Sequence, residues 1–374
     1  MAGIYIHIPF CKQACTYCNF HFSVSLKNKD ALVNAIAAEI MLTKKFSEED
    51  IKTIYVGGGT PSLLNKTELT FILTTIREKY SVTGDAEITI EANPDDINKD
   101  SLLDWQRLGI NRLSVGLQSF NEAELKWMNR AHDAAESLHC LDQITEAGFE
   151  NYSVDLIYGS PLQTDEDLRQ NFEILAQKKV PHISCYALTV EEGTVLNKLI
   201  KENSSMSPDP GKQSDQFSLL LDMMEAAGYV QYEISNFSLP GHRSRHNSSY
   251  WQGKPYYGFG PSAHSYDGSN IRRWNIANNS LYIKSVENGL LPFEEELLTA
   301  VQRMNEYVMT SLRTSEGLDM GLLKNNYGAE YAIKLKTAAE KYLQDQRMMQ
   351  VGNVLILTKK GKFFADGIAA DLFV

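Results

Sequence analysis

Two periods alternate along the first half of the chain. Short β-rich runs are IYIHIPF (4–10), TIYVGGG (53–59), EITIEANP (87–94), RLSVGLQSF (112–120), YSVDLIYGSP (152–161) and ISCYALTV (183–190). Between them lie ALVNAIAAEIMLTKKF, ELTFILTTIREKY, SLLDWQRLG, EAELKWMN with AAESLHCLDQITEAG, and DLRQNFEILAQKK, each with apolar residues at i, i+3, i+4 spacing. Six consecutive βα units predict a parallel sheet buried on both faces, with right-handed crossovers. The expected fold is α/β, a partial (β/α)6 barrel, and a doubly wound open sheet is the alternative.

After about residue 200 the pattern changes. SSMSPDPGK (204–212) reads as a loop, QFSLLLDMMEAAGY as a helix ending at Gly228, and YVQYEISNF follows. The aromatic, glycine-rich stretch 242–275 has little periodicity and few helix formers, which predicts a long ordered loop or lid. From Glu294 the pattern is helical again, and a short hairpin, VGNVLILTKKGKFF, precedes a terminal helix. The expected organisation is a barrel over 1–240, an aromatic lid over 241–293 and a smaller helical, winged-helix-like domain over 294–374. Charges in the last part are nearly balanced, which favours a packing module over a DNA-binding one.

The 374 residues are 43% apolar, enough for one large core and a smaller one, and the net charge is −11. That charge argues against broad attraction to nucleic acid or anionic membrane. No run of about 18 apolar residues supports a membrane span, and MAGIYIHIPF lacks a basic leader, so the reading is cytoplasmic. The five cysteines, an odd number, are expected to serve as metal ligands, catalytic groups or small buried residues. Cys140 and Cys185 lie apart from the others and read as structural.

The unusual residues gather where the strands end. Cys11, Cys15 and Cys18 (C-x3-C-x2-C) follow the first strand, GGGTPS (57–62) the second, and Glu91, Asn93 and Pro94 end the third. Gln118 and Phe120 end the fourth, Asp155 lies in the fifth, and GSP (159–161) closes it. Parallel barrels build their sites on this rim. Two metals suit the cysteines. Zinc could take them with His21 as a Cys3His set, while a [4Fe–4S] cluster held by three thiolates leaves one iron for an outside molecule. GGGTPS is neither a dinucleotide fingerprint nor a P-loop, but Gly57, Gly58 and Gly59 let a ligand approach the backbone.

The cysteine spacing, with Tyr17 before Cys18, resembles the signature of radical S-adenosylmethionine proteins. IYIHIPFC, VGGGTPS, IEANP, LSVGLQSFNEAELKWMNRAH and VDLIYGSP resemble one branch of them, the oxygen-independent coproporphyrinogen III oxidases and the heme chaperones of the HemW type, over nearly the whole chain. The resemblance implies a [4Fe–4S] cluster on Cys11, Cys15 and Cys18, with S-adenosylmethionine on the unique iron. Tyr5, Tyr17, Gly58, Thr60, Glu91, Gln118, Arg130 and Asp155 would line the cofactor pocket, and the family's chemistry is reductive cleavage of a sulfonium C–S bond. Arg130 can pair with a carboxylate and Tyr17 can pack on adenine.

The oxidases of this branch carry a further cysteine two residues after the third, where this chain has Phe20, and they have a longer N-terminal segment. Both differences favour the chaperone over porphyrin oxidation, which stays as the alternative. His246-Asn247-Ser248-Ser249-Tyr250-Trp251 matches the H-N-x-x-Y-W motif of HemW-like proteins, which is associated with heme binding. Imidazole is a common axial ligand, and aromatic rings suit a flat macrocycle. Tyr256, Tyr257, His264 and Trp274 are accessory candidates, and His242 is a second candidate ligand. The implied partners are heme and heme-accepting proteins, those of the respiratory chain among the candidates. Whether the chain is a homodimer is left open.

Overall fold

A computed structural model describes residues 2–374. Its first six strands are β1 (Ala2–Ile8), β2 (Ile51–Gly58), β3 (Val82–Ala92), β4 (Arg112–Gln118), β5 (Tyr152–Tyr158) and β6 (His182–Ala187). They pair in chain order and all in parallel. A doubly wound sheet reverses its order part-way, so the order seen here is that of the barrel. The barrel stays open, because β1 and β6 pair outward with other strands rather than with each other. Four of the helices between the strands start at capping boxes, at Asn65, Asn98, Asp133 and Thr164.

The expected strands overran the observed ends by one to three residues, into the loops that carry the rim. The larger difference lies in residues 241–293, which are not a loop. A helix, Arg245–Trp251, is followed by β9 (Tyr256–Phe259), β10 (His264–Tyr266), β11 (Ile271–Asn275), a second helix and β12 (Phe293–Leu297). β9 adds in parallel to β1, and β10 to β12 continue antiparallel. On the far edge β6 takes the hairpin of β7 (Val230–Glu233) and β8 (Asn236–Ser238), which completes a twelve-stranded mixed sheet.

Along β1 to β6 the side chains divide by parity. Ile4, Ile6, Ile54, Val56, Ile88, Ile90, Leu113, Val115, Val154, Leu156, Ile183 and Cys185 belong to the apolar core, along with helix residues such as Leu32, Ile36, Leu69 and Ile72. The alternate positions, Thr53, Glu87, Thr89, Arg112, Ser114, Ser153, His182 and Ser184, are buried and polar. The barrel interior is therefore a polar chamber, and the apolar core lies outside it. Cys140 and Cys185 are buried in that core, as expected of structural residues.

The C-terminal part has its own core, built on Met304, Val308, Leu335, Leu355 and Ile368. Its sheet is β13 (Leu318–Asp319), β15 (Val354–Leu357) and β14 (Met348–Val351), in that order and antiparallel. Helices packed on a small antiparallel sheet agree with the winged-helix-like expectation. The module docks on the β7–β8 hairpin, where Arg313 bonds buried Glu233 at 3.0 Å and Ile234 N–H donates to Arg313 O at 3.0 Å.

Glu39 joins a barrel helix to the sheet extension. Its carboxylate is buried and accepts from Asn275 Nδ2 at 2.6 Å, from Gly260 N–H at 2.8 Å and from the Tyr282 hydroxyl. Burial, opposed by those three bonds, raises its pKa to about 7. The folded state thus holds a proton that the unfolded state releases near 4.5. Stability contributed by this group is full below that value and lost as pH rises through 7, at up to about 1.4 kcal/mol per unit. Urea unfolding of wild type should weaken across this window, and Glu39→Gln should flatten the slope.

Candidate functional site

The loop after β1 is tied down on several sides. Cys11 N–H donates to Ser23 O at 3.0 Å, Thr16 N–H to Met128 O at 3.1 Å and Leu196 N–H to Thr16 O at 2.7 Å. Asn129 Nδ2 donates to Ala14 O at 2.7 Å, and Lys12 pairs with Asp95 at 2.6 Å and with Asp96. This strapping holds Cys11, Cys15 and Cys18, all unpaired and half-buried, over the C-terminal ends of the strands.

The three thiols influence one another. Burial, opposed by a Thr60 hydrogen bond and added to by Cys18 and Cys15, pushes Cys11 up to about 11. Burial raises Cys18 as well. Thiols placed this way ionise when a positive centre replaces lost hydration, and thiolates suit iron–sulfur or zinc. The zinc set does not form. His21 Nε2 is bonded to Asn279 Oδ1 at 2.7 Å, and among the described residues no three His, Cys, Asp or Glu converge where a single ion would sit.

The surroundings fit a cluster with a ligand beside it. A Cβ on Gly59 would stand 2.6 Å from Phe10 O and 3.0 Å from Cys11 Sγ, so only glycine lets the second loop approach the cysteines. Gly58, at φ +116°, would drive a Cβ to 2.7 Å from the His7 ring. Its N–H donates to Glu91 Oε2 at 2.9 Å, and the Tyr55 hydroxyl donates to Glu91 Oε1 at 2.7 Å. Burial, opposed by both bonds and aided by Asp155, raises Glu91 to about 7. Asp155 is raised to about 6 by burial, against a Ser184 hydrogen bond and the charges of Arg112 and Arg130.

Arg130 ties the rim together. Its Nη1 donates to Cys15 Sγ at 3.2 Å, and its Nη2 donates to Asn93 Oδ1 and Gly116 O, both at 2.8 Å. Its Nε and the Gln118 Oε1 are buried with no partner, two polar atoms left for a ligand. Gln118 sits at φ +71°. Tyr17 is close enough to Cys15 to bond it, and burial raises its hydroxyl. The Tyr5 hydroxyl donates to His7 Nδ1 at 3.1 Å, and His7 Nε2 faces His21 O at 3.0 Å. Thr60 is buried and accepts from Asn93 Nδ2 at 3.4 Å.

Every residue expected around the cofactor is therefore on this rim or in the chamber below it. Tyr55 and Gly116 were missed as site residues, and Asn93, expected on the rim, takes the role of acceptor for Arg130. A Cβ on Gly116 would meet Gln118 Nε2 at 3.1 Å and Arg130 Nη2 at 3.3 Å. No local sequence signal marks Tyr55 and Gly116, since their contacts come from neighbouring strands.

The decisive comparison is with curated proteins. The heme chaperone HemW of Mycobacterium tuberculosis is 33% identical over 376 residues, covering 99% of this chain and 94% of its own. That of Bacillus subtilis is 32% identical, covering 98% of both chains. This chain belongs to the HemW family. HemW of Escherichia coli is 37% identical over 270 residues, 70% of this chain and 69% of its own. Residues 5–175 match the Radical SAM superfamily and residues 298–364 the HemN C-terminal domain. The solved coproporphyrinogen III oxidase HemN of Escherichia coli shares the fold, with a TM-score of 0.86, 22% identity, and coverage of 100% of this chain and 90% of that one.

The HemW motif residues lie at the other end of the barrel. His246 is fully buried beside Thr53, which pairs with Glu87 five residues before the rim, roughly 16 Å below it. Both its nitrogens are occupied, Nδ1 by Thr53 Oγ1 and Nε2 by the Tyr250 hydroxyl, each at 2.8 Å. Its ring stacks on Tyr55 at 5.1 Å, and burial lowers its pKa to about 3, with Arg112 adding to that. Asn247 N–H donates to the capping Ser244 Oγ at 3.2 Å. Tyr250 packs edge-on to Tyr256 at 4.6 Å.

The accessory candidates are scattered. Tyr257 points to the outer core, where its hydroxyl accepts from the N–H groups of Phe46 and Ser47. His264 pairs with Trp274 across β10 and β11, and His242 is half-buried beside His182. The structure brings together His246, Tyr250 and Tyr256, and it does not gather the others around them. No helix is long and apolar enough to cross a membrane among the described residues.

Proposed function

We propose that this protein binds heme and hands it to acceptor proteins, while Cys11, Cys15 and Cys18 hold a [4Fe–4S] cluster beside an S-adenosylmethionine pocket. The carrying observation is the strapped cysteine loop with the Arg130 guanidinium on Cys15 and a glycine cradle against Cys11. When bound, the cluster supplies the electron for cleavage of a sulfonium C–S bond. The chain's own residues do the positioning. Gly58 and Glu91 offer an amide and a carboxylate, Arg130 and Gln118 offer unpaired polar atoms, and Tyr17 closes the side next to Cys15. We place the pocket on Tyr5, Tyr17, Gly58, Thr60, Glu91, Gln118, Arg130 and Asp155.

Heme cargo is supported by the relatives' name, and the acceptors are proposed to be cytoplasm-facing, respiratory proteins included. The porphyrin-oxidase reading is weakened at Phe20, which is 68% exposed where those enzymes carry a further cysteine. Hemin titration should give a saturable Soret change, and heme-loaded protein should convert an apo-cytochrome to its holo form. Turnover of coproporphyrinogen III with reductant and S-adenosylmethionine would overturn the chaperone assignment.

A further inference from the structure

Between the barrel and the C-terminal module lies an open cleft of about 450 Å³, within the range of small-molecule sites. It flanks the open edge of the barrel at the ends of β5 and β6, where Tyr158 and Ala187 line it. One wall is aromatic. Tyr158 and Phe217 stack with planes 11° apart, Phe363 meets Phe217 edge-on at 5.0 Å, and Phe364 is 52% exposed.

The cleft also holds cations. Arg313 is shared between Glu233 and Asp366. Lys362 is half-buried and donates to the neutral Gln231 Oε1 at 2.7 Å, and among the described residues no carboxylate forms an ion pair with it. Burial, opposed by Glu225 and reinforced by Lys359, disfavours its charge. An anion entering the cleft would gain a charge-assisted bond there.

The H-N-x-x-Y-W helix does not line the cleft, but its last residue, Trp251, packs against Arg313, which does. Arg313 lies 5.6 Å over the Trp251 ring, whose indole N–H is buried without a partner. No histidine, cysteine or methionine lines the cleft, and its one tyrosine, Tyr158, is buried and stacked on Phe217, so the contact it offers is through ring faces, which suits a cargo that must leave.

We infer that this cleft is the chain's site for a flat aromatic macrocycle bearing carboxylates, a porphyrin such as heme. The macrocycle lies against Phe217, Phe363 and Phe364, and a carboxylate meets Lys362. His246 is then a post of the barrel floor and not the iron ligand. The inference rests on the heme reading above, and the test separates the two.

Hemin and zinc protoporphyrin are titrated into the full-length protein and into Ser214→Trp, Phe364→Ala and Lys362→Met. Ser214 and Phe364 are exposed on the cleft, so these changes leave the fold intact, checked by an unchanged thermal midpoint. The expected result is that both porphyrins bind wild type within about threefold of each other, because contact is through ring faces. Ser214→Trp should weaken both at least tenfold, and Phe364→Ala and Lys362→Met should each weaken them severalfold. Wild-type hemin binding that Ser214→Trp and Phe364→Ala leave unchanged overturns the cleft and spares the heme reading. Hemin binding without zinc protoporphyrin binding overturns it too, since iron ligation would then dominate. No saturable binding to wild type overturns the heme reading itself.

Discussion

Cys15→Ser is expected to strip the chain of its iron. Anaerobic reconstitution of wild type should give about four irons and four sulfides per chain, and the serine variant less than about a tenth of that. Serine nearly keeps the size of the side chain but cannot supply a thiolate, and it leaves the Arg130 Nη1 facing a neutral hydroxyl in place of Sγ. The loop itself should survive, because its ties run through Thr16, Asn129, Lys12 and Cys11 N–H rather than through Cys15 Sγ. Metal analysis with circular dichroism therefore separates lost ligation from lost folding. If one zinc per chain were bound equally by wild type and variant, the cluster would be the wrong group.

The second large effect lies at the barrel floor, far from the cysteines. Glu87 is buried at the start of the helix Arg245–Trp251, where it accepts from the N–H groups of Arg245 at 3.1 Å and His246 at 2.9 Å. Arg112, 1% exposed, is its counter-charge, with Nε at 3.7 Å. Arg112→Met leaves that carboxylate with the helix amides alone, and removing one partner of a buried pair costs about 3–5 kcal/mol. Urea unfolding followed by tryptophan fluorescence should show the loss, with Trp251 on the affected helix. Adding Glu87→Gln should recover part of it, as a double-mutant cycle requires of coupled partners. Equal stability of Arg112→Met and wild type would mean that the floor pair holds nothing together.

Where the sequence was informative, chemistry and periodicity coincided. The strands were legible because isoleucine, valine and leucine recur in short runs bounded by glycine and proline. The rim was legible because cysteines, three glycines and carboxylates fell at the ends of successive strands. Residues 241–293 were misread because β9, β10 and β11 are only four, three and five residues long. A period of two does not declare itself over such lengths, and aromatic residues with glycines look like loop chemistry. Nor was the polar chamber foreseen. Glu87, Arg112, Ser153 and His182 each sit among apolar strand residues, and a lone polar residue in a strand reads as facing solvent. Only the register, which sets Thr53 opposite Glu87 and Ser153 opposite His182, shows that they face inward together. The same holds for His246, a candidate iron ligand from its motif, whose burial and whose bonds to Thr53 and Tyr250 only the structure shows.

Electron paramagnetic resonance of the reduced, reconstituted protein, with and without S-adenosylmethionine, reaches the central claim directly. Three thiolates and a free iron corner predict a [4Fe–4S]⁺ signal whose g-values change when the sulfonium compound is added, and Arg130→Met should blunt that change while iron remains. A spectrum indifferent to S-adenosylmethionine, from protein holding its full iron, would mean the corner is closed and the pocket beside Cys15 serves something else.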